Sequence, residues 1–142
     1  MTDNCEKKIA HSRPHDPPVA KPYLEFDLVQ ELQQLQRETG WMNGQNAKTL
    51  VKYDDLRVVL IGLRANERIP GHKALGRVTI QMISGHIHLH AMGRTFDLVL
   101  GSLLSLDKEV SHDLQALEDS AFLLTIAWPG REERHVRKTS ST

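Results

Sequence analysis

The sequence is short of three things: cysteine, net charge and long apolar runs. Its single cysteine, Cys5, excludes an internal disulfide framework and a zinc site built from several thiolates. The 18 lysines and arginines balance the 18 aspartates and glutamates, so no net field attracts nucleic acid or an anionic membrane. No stretch approaches the ~18 apolar residues that span a bilayer, and the polar N-terminus lacks a signal-peptide core. We therefore expect a cytoplasmic protein with no nucleic-acid or membrane partner.

The 142 residues fit one domain with a sizeable core. Apolar residues concentrate between positions 23 and 128, which we predict to be the folded domain. The segment 1–22 holds four of the six prolines, which disfavour helix, and the segment 129–142 is almost entirely polar. Both of these segments are predicted to be flexible.

One helix and eight strands are predicted within the domain. Asp27 can cap a helix over 27–38, along which Leu28, Leu32 and Leu35 recur at helical spacing. After Lys48 the sequence changes to short apolar runs separated by turn-forming residues, which is typical of all-β sandwiches and barrels. The predicted strands are 49–53, 56–63, 78–83, 86–90, 95–100, 103–106, 112–117 and 121–128. This arrangement indicates a jelly-roll barrel.

Two of these strands allow a register to be predicted. Ser84 and Gly85 can form a two-residue turn, with the glycine in a left-handed conformation, so that 78–83 and 86–90 form a hairpin. The register places one apolar set on the barrel interior and one polar set outside. The predicted inner pairs are Met82 with Ile87, Ile80 with Leu89 and Val78 with Ala91, and the outer pairs are Gln81 with His88 and Thr79 with His90.

Glycines and histidines in the second half stand at a spacing found in a known family. His72 lies between Asn66 and Gly85, and His112 follows Gly101, at the separations of two sequence motifs. These motifs resemble those of the cupin superfamily, small double-stranded β-helix barrels of the jelly-roll class. At the positions where the first family motif has its second histidine and its glutamate, this chain has Ala74 and Val78.

The resemblance implies a metal position inside the barrel that this chain supplies only in part. Metal-bearing cupins use three histidines and one carboxylate from the motif positions, and only His72 and His112 remain here. Because two imidazoles fall short of the three protein ligands usual in catalytic centres, we predict no metal cofactor. The alternative is one divalent metal ion on His72 and His112, with Asp107 or Glu109 moving in as a further carboxylate.

The resemblance also places His72 and His112 at the mouth of the barrel, above an apolar floor. We expect this floor to include Ile80, Met82 and Leu89, so that these five residues form a ligand-binding site. The predicted function is small-molecule binding, or a sensing or accessory role, without a full metal centre. The alternative is an enzyme, either a metal-dependent oxygenase or isomerase with an atypical histidine-based site or a metal-independent isomerase that uses a histidine base. No catalytic residue is assigned, and open sheet edges favour a homodimer.

A second group of histidines alternates along one predicted strand. His86, His88 and His90 share a face, with ~7 Å between successive positions, and such a pattern can capture Zn or Ni. The predicted register places them outside the barrel with Thr79 and Gln81, where it implies no accompanying carboxylate. We interpret them as an exposed or interface polar stripe, and a metal site or pH-sensitive assembly are the alternatives.

Overall fold

The computed structural model describes residues 21–129, so nearly all of the two segments predicted to be flexible, and Cys5, lie outside the described residues. Within that range no helix is both long and apolar enough to cross a membrane. The helices are α1 Leu28–Leu35 and α2 Thr39–Met42, and the strands are β1 Gln45–Lys52, β2 Leu56–Leu63, β3 Arg68–His72, β4 Arg77–Ser84, β5 His86–Ala91, β6 Arg94–Val99, β7 Leu103–Leu106, β8 His112–Ala116 and β9 Ser120–Ala127.

The strands form two antiparallel sheets that share one core. One sheet has the order β1-β2-β9-β4-β7 and the other has the order β3-β8-β5-β6. Apolar side chains from the inner faces of both sheets meet in a single buried cluster. This cluster includes Val78, Ile80, Met82 and Phe122 from the five-stranded sheet and Ile87, Leu89, Leu98 and Leu114 from the four-stranded sheet. The predicted all-β jelly-roll architecture is confirmed.

The hairpin predicted across Ser84 and Gly85 is wrong. β4 pairs with β7 and β9, whereas β5 pairs with β6 and β8 in the other sheet. Gly85, with a φ of +84°, forms the corner at which the chain leaves one sheet and enters the other. The predicted inner face is nevertheless right, since every residue of that set is 5% exposed or less. Alternation along a strand decides which side chains face the core, whichever strand lies beside it.

Helix α1 covers the outer side of the five-stranded sheet. Asp27 caps it as predicted, because its carboxylate accepts hydrogen bonds from the backbone N–H groups of Val29 and Gln30. The helix ends at Leu35 rather than at 38, and the short helix α2, which was not predicted, then brings Trp41 beside Leu35. Both side chains pack on Leu60 of β2, so β2 is buried on both of its faces.

Strand β3 was missed because its sequence contains Pro70 and Gly71, which are unfavourable in a central strand. It lies at the edge of the four-stranded sheet, where a proline is tolerated since one side of the strand has no ladder. β3 ends at His72 and pairs with β8, which begins at His112. The missed strand β3 therefore positions His72, one of the two motif histidines.

Candidate functional site

The pairing of β3 with β8 brings His72 and His112 together. The two residues are register partners, and their ring centroids lie 4.5 Å apart with the ring planes inclined at 57°. His112 shares the inward face of β8 with Leu114 and Ala116 and is only 5% exposed. His72 is exposed at the end of β3. One imidazole therefore belongs to the barrel interior, and the other stands in solvent beside it.

Both imidazoles are held by hydrogen bonds to nearby backbone carbonyls. Nδ1 of His72 lies 3.1 Å from the Pro70 carbonyl oxygen, and Nδ1 of His112 lies 3.0 Å from the Val110 carbonyl oxygen. A carbonyl only accepts hydrogen bonds, so each Nδ1 must carry the proton. In the neutral form of each ring, the lone pair then resides on Nε2, where it is available to an external hydrogen-bond donor.

A cleft of about 370 Å³ opens beside His112. It lies where the turn between β5 and β6 approaches the beginning of β8, and its side chains are mostly polar. They include His90, Arg94, Thr95, Ser111, His112 and Asp113. The Arg94 guanidinium lies 4.8 Å from the centroid of the Phe96 ring, so its position is supported by a cation–π contact. The cleft lining thus combines one guanidinium, two hydroxyl groups and the mostly buried His112.

The three apolar residues predicted as the floor of the site lie in the packed core. Ile80, Met82 and Leu89 are at most 2% exposed and belong to the cluster shared by the two sheets. They are on the same inner side of the barrel as His112, but none of them lines the cleft. The cleft wall is therefore polar, and the apolar side chains form the layer that supports the strands behind it.

The alternating histidines lie on the outer face of β5, as predicted, but the expectation that no carboxylate accompanies them is wrong. Asp97 of β6 is the register partner of His88. Its carboxylate accepts a hydrogen bond from Nε2 of His86 and lies 3.1 Å from Nε2 of His88. The third histidine, His90, instead contacts the Thr95 hydroxyl at 2.9 Å.

Asp97 could have been found from the sequence by applying the hairpin rule at another turn. Met92 and Gly93 both have positive φ, 54° and 70°, and they form the tight two-residue connection between β5 and β6. The register from this turn places Thr95 opposite His90 and Asp97 opposite His88. The carboxylate was missed because the wrong neighbour was assigned to β5.

Among residues 21–129, Asp97 and Asp107 have carboxyl pKa values below the ordinary value of 3.8. For Asp97 the largest cause is the hydrogen bond from His86, with positive charge on His86 and His88 adding to it. For Asp107 the largest cause is the hydrogen bond from the Lys108 backbone N–H, followed by the charge of Arg77. Both carboxylates are exposed. Their hydrogen bonds and the neighbouring positive charges favour the ionised form.

No protein-family model and no curated protein matches the chain, but solved structures do. A cupin superfamily protein from Desulfitobacterium hafniense superposes with a TM-score of 0.58 at 13% identity, covering 81% of this chain and 92% of the other. An RmlC-like cupin with a double-stranded β-helix fold from Methanocaldococcus jannaschii gives 0.59 at 17% identity, covering 77% and 92%. The chain has the cupin fold.

A third similar structure is a conserved protein of unknown function from Streptococcus pyogenes. It superposes on this chain with a TM-score of 0.61 at 18% identity, covering 84% of this chain and 98% of the other. The cupin architecture expected from the two motifs is thus confirmed. At these identities the similarity establishes the fold, and the function must be argued from the side chains of this chain.

The interior of this barrel does not fit the metal ion that cupin motifs hold. Ala74 packs against the core, and Val78 is 3% exposed among its apolar neighbours, so neither position offers a lone pair. Within residues 21–129, no third histidine, cysteine, aspartate or glutamate forms a ligand group with His72 and His112. Two imidazoles without a third protein ligand fall short of a catalytic metal centre.

The two carboxylates considered as substitutes have other contacts. Asp107 accepts a hydrogen bond from Nε of Arg77 at 3.0 Å and is exposed. The backbone of Glu109 has a φ of +59°, and its N–H donates to the Ala74 carbonyl oxygen. Both residues therefore take part in the turn before β8. Among the described side chains, neither carboxylate forms a potential metal-binding group with His72 and His112.

Proposed function

We propose that this cupin-domain protein is a binding, sensing or accessory module that binds a small polar organic molecule at His72 and His112. The supporting observation is the arrangement of the two imidazoles, 4.5 Å apart with both Nδ1 atoms bonded to the backbone. Two adjacent Nε2 lone pairs accept hydrogen bonds from hydroxyl or amino groups of one ligand. This use of the histidines needs no metal ion inside the barrel.

The cleft beside His112 favours a ligand that carries both hydroxyl and carboxylate groups. Arg94 presents a planar guanidinium, which pairs well with a carboxylate, and Thr95 and Ser111 provide hydroxyl groups. The volume of about 370 Å³ lies within the range of small-molecule pockets. In this proposal Ile80, Met82 and Leu89 form the apolar core layer behind the site and do not line the cleft themselves. A hydroxylated carboxylic acid is the ligand class that matches these groups.

Thermal unfolding of the full chain with glycolate, malate, citrate and gluconate tests the proposal. At least one of these acids should raise the melting temperature, because binding to the folded state alone stabilises it. His72→Ala and His112→Ala should each abolish this rise, and His88→Ala is the matched control because His88 lies on the outer face. No response from the wild type, or an equal response in all three variants, would contradict the proposal.

The enzymatic alternative receives no support from the site. A metal-dependent oxygenase or isomerase of the usual cupin type needs ligands at positions 74 and 78, where this chain has alanine and valine. A histidine base acting without metal needs a second group for proton transfer. The tyrosines within the described residues, Tyr23 and Tyr53, are exposed and lie before β2 in the chain, apart from β3 and β8.

A further inference from the structure

The outer face of the four-stranded sheet carries a cluster of donor atoms that the ligand site does not use. One ring nitrogen of His86, one of His88 and a carboxylate oxygen of Asp97 all lie within 4.8 Å of one another. The side chains of His86 and His88 are 31% and 36% exposed, and that of Asp97 is 66% exposed. The cluster is therefore open to solvent, so an ion can reach it.

We propose that His86, His88 and Asp97 form a binding site for one divalent transition-metal ion of the Zn²⁺ type, outside the barrel and independent of the His72–His112 pair. Two imidazoles and one carboxylate are donors that suit Zn²⁺ and its neighbours in the first transition series. Three protein ligands leave one tetrahedral position for water or for an external ligand.

One of the donor–donor distances matches the size of such a site, and all three donors lie within 4.8 Å of one another. Metal–donor bonds of about 2.0–2.2 Å in a tetrahedral arrangement place neighbouring donor atoms roughly 3.3 Å apart. The 3.1 Å separation between Nε2 of His88 and the Asp97 carboxylate is already close to this value. The His86–Asp97 contact is a hydrogen bond, and a metal ion bound between the two side chains would replace its proton.

Strand pairing, backbone hydrogen bonds and a tight turn fix the positions of the three residues of the cluster. β5 is an internal strand, bonded to β6 on one side and to β8 on the other, so His86 and His88 project from a rigid element. The N–H of His86 also donates to the hydroxyl of Ser120 at 3.0 Å, and the Leu117 N–H donates to the His86 carbonyl. Asp97 is fixed by the tight turn that joins β5 to β6.

The third histidine of the stripe does not belong to the site. His90 contacts Thr95, and its ring centroid lies 6.5 Å from that of His88, compared with 5.5 Å between His86 and His88. The site thus depends on one carboxylate and two of the three alternating imidazoles. On a surface that is merely rich in histidine, all three imidazoles would contribute equally to metal binding. The expected difference between His90 and the other two histidines therefore distinguishes a defined metal site from such a surface.

Competition between the full chain, without an affinity tag, and a chromophoric chelator for Zn²⁺ at neutral pH tests the proposal. The wild type should bind about one Zn²⁺ ion. His88→Ala and Asp97→Asn should each weaken binding by at least the roughly 10- to 100-fold that is typical for loss of a supporting partner. His90→Ala is the matched control on the same strand face, and His112→Ala is the control for the barrel. Both controls should bind as the wild type does.

Co²⁺ absorption gives a second measure, since the visible bands of a four-coordinate Co²⁺ complex should appear in the wild type and be lost in Asp97→Asn. Circular dichroism of each variant checks that it folds. The proposal is overturned if the wild type fails to compete with the chelator, or if His90→Ala weakens binding as much as His88→Ala does. It is also overturned if only His112→Ala abolishes binding, because the ion would then lie in the barrel.

Discussion

At the scale of single residues, the folded structure favours the ionised form of the Asp107 carboxyl group. Its carboxylate accepts hydrogen bonds from the Lys108 backbone N–H at 2.7 Å and from Arg77 at 3.0 Å, and its pKa lies below 3.8. A group with a lowered pKa stabilises the folded state above its unfolded pKa, and this contribution disappears as the pH falls through the folded value. The carboxylate therefore favours folding at neutral pH, and less so in acid.

We predict that Asp107→Asn lowers the free energy of unfolding at neutral pH and that the difference from the wild type vanishes in acid below the lowered pKa. Urea unfolding across this pH range measures the effect, which is small because the residue is exposed. Arg77→Gln should retain most of the pH dependence, since the backbone hydrogen bond is the larger cause. A difference that persists unchanged in acid would show that charge is not responsible.

The two groups of histidines differ in how far sequence could locate their partners. Motif spacing singled out His72 and His112, and the register of β3 with β8 places them side by side. Alternation placed His86 and His88 together on one face, which is a local property of a strand. Asp97 was missed because a cross-strand partner depends on which turn forms the hairpin, and that choice is made by the whole barrel.

Gly85 is the corner between strands β4 and β5, and the space around it is unusually tight. A Cβ atom at this position would lie 2.3 Å from the Ser120 hydroxyl oxygen and 2.4 Å from the Asp119 carbonyl oxygen. Gly93 has a similarly positive φ of +70°, but a Cβ atom there would have no neighbour within 4 Å. Alanine variants at the two glycines therefore distinguish the free-energy cost of a left-handed backbone conformation from the additional cost of a steric clash.

We predict that Gly93→Ala destabilises the protein by roughly 1–2 kcal/mol, which is the cost of a left-handed conformation for an L-residue. Gly85→Ala should cost clearly more, because the backbone at 119–120 must also move. Chemical denaturation of both variants provides the comparison. Equal destabilisation would mean that the corner relaxes around the added methyl group.

At the level of elements, the positions of the strands were easier to predict than the pairing between strands. Seven of the eight predicted strands correspond closely to observed ones, and β1 begins at Gln45 rather than 49 because its first residues carry no apolar signal. Asn46 instead donates to the Leu35 carbonyl oxygen at the end of α1. The sequence did not predict that β4 and β5 belong to different sheets, since a corner and a hairpin both place glycine at a positive φ.

At the scale of the molecule, apolar side chains remain exposed at the short turn that joins two edge strands. β6 and β7 are edge strands of different sheets, and the turn between them presents Val99, Leu100 and Leu103. The turn is closed by hydrogen bonds between Val99 and Ser102, so these side chains form one defined patch. Open edges beside an apolar patch favour association with another chain. We propose that a second copy of this protein covers this patch in a homodimer.

Sedimentation velocity of the full chain at several concentrations tests this proposal. The wild type should sediment as a dimer, and Leu103→Glu should sediment as a monomer because a charge would be buried at the interface. Leu75→Glu is a matched control, since Leu75 is exposed to a similar degree but lies between β3 and β4. A monomeric wild type, or dissociation caused equally by both variants, would contradict the proposed interface.

Helices α1 and α2 pack on only one of the two sheets, which gives the barrel two unlike sides. On the five-stranded side, a substitution at Leu60 or Gly62 meets Leu35 and Trp41, so that surface tolerates little change. The outer positions of β5 and β6 bear no such cover within residues 21–129. Substitutions on that uncovered side should therefore change ligand chemistry without disturbing the interior on which folding depends.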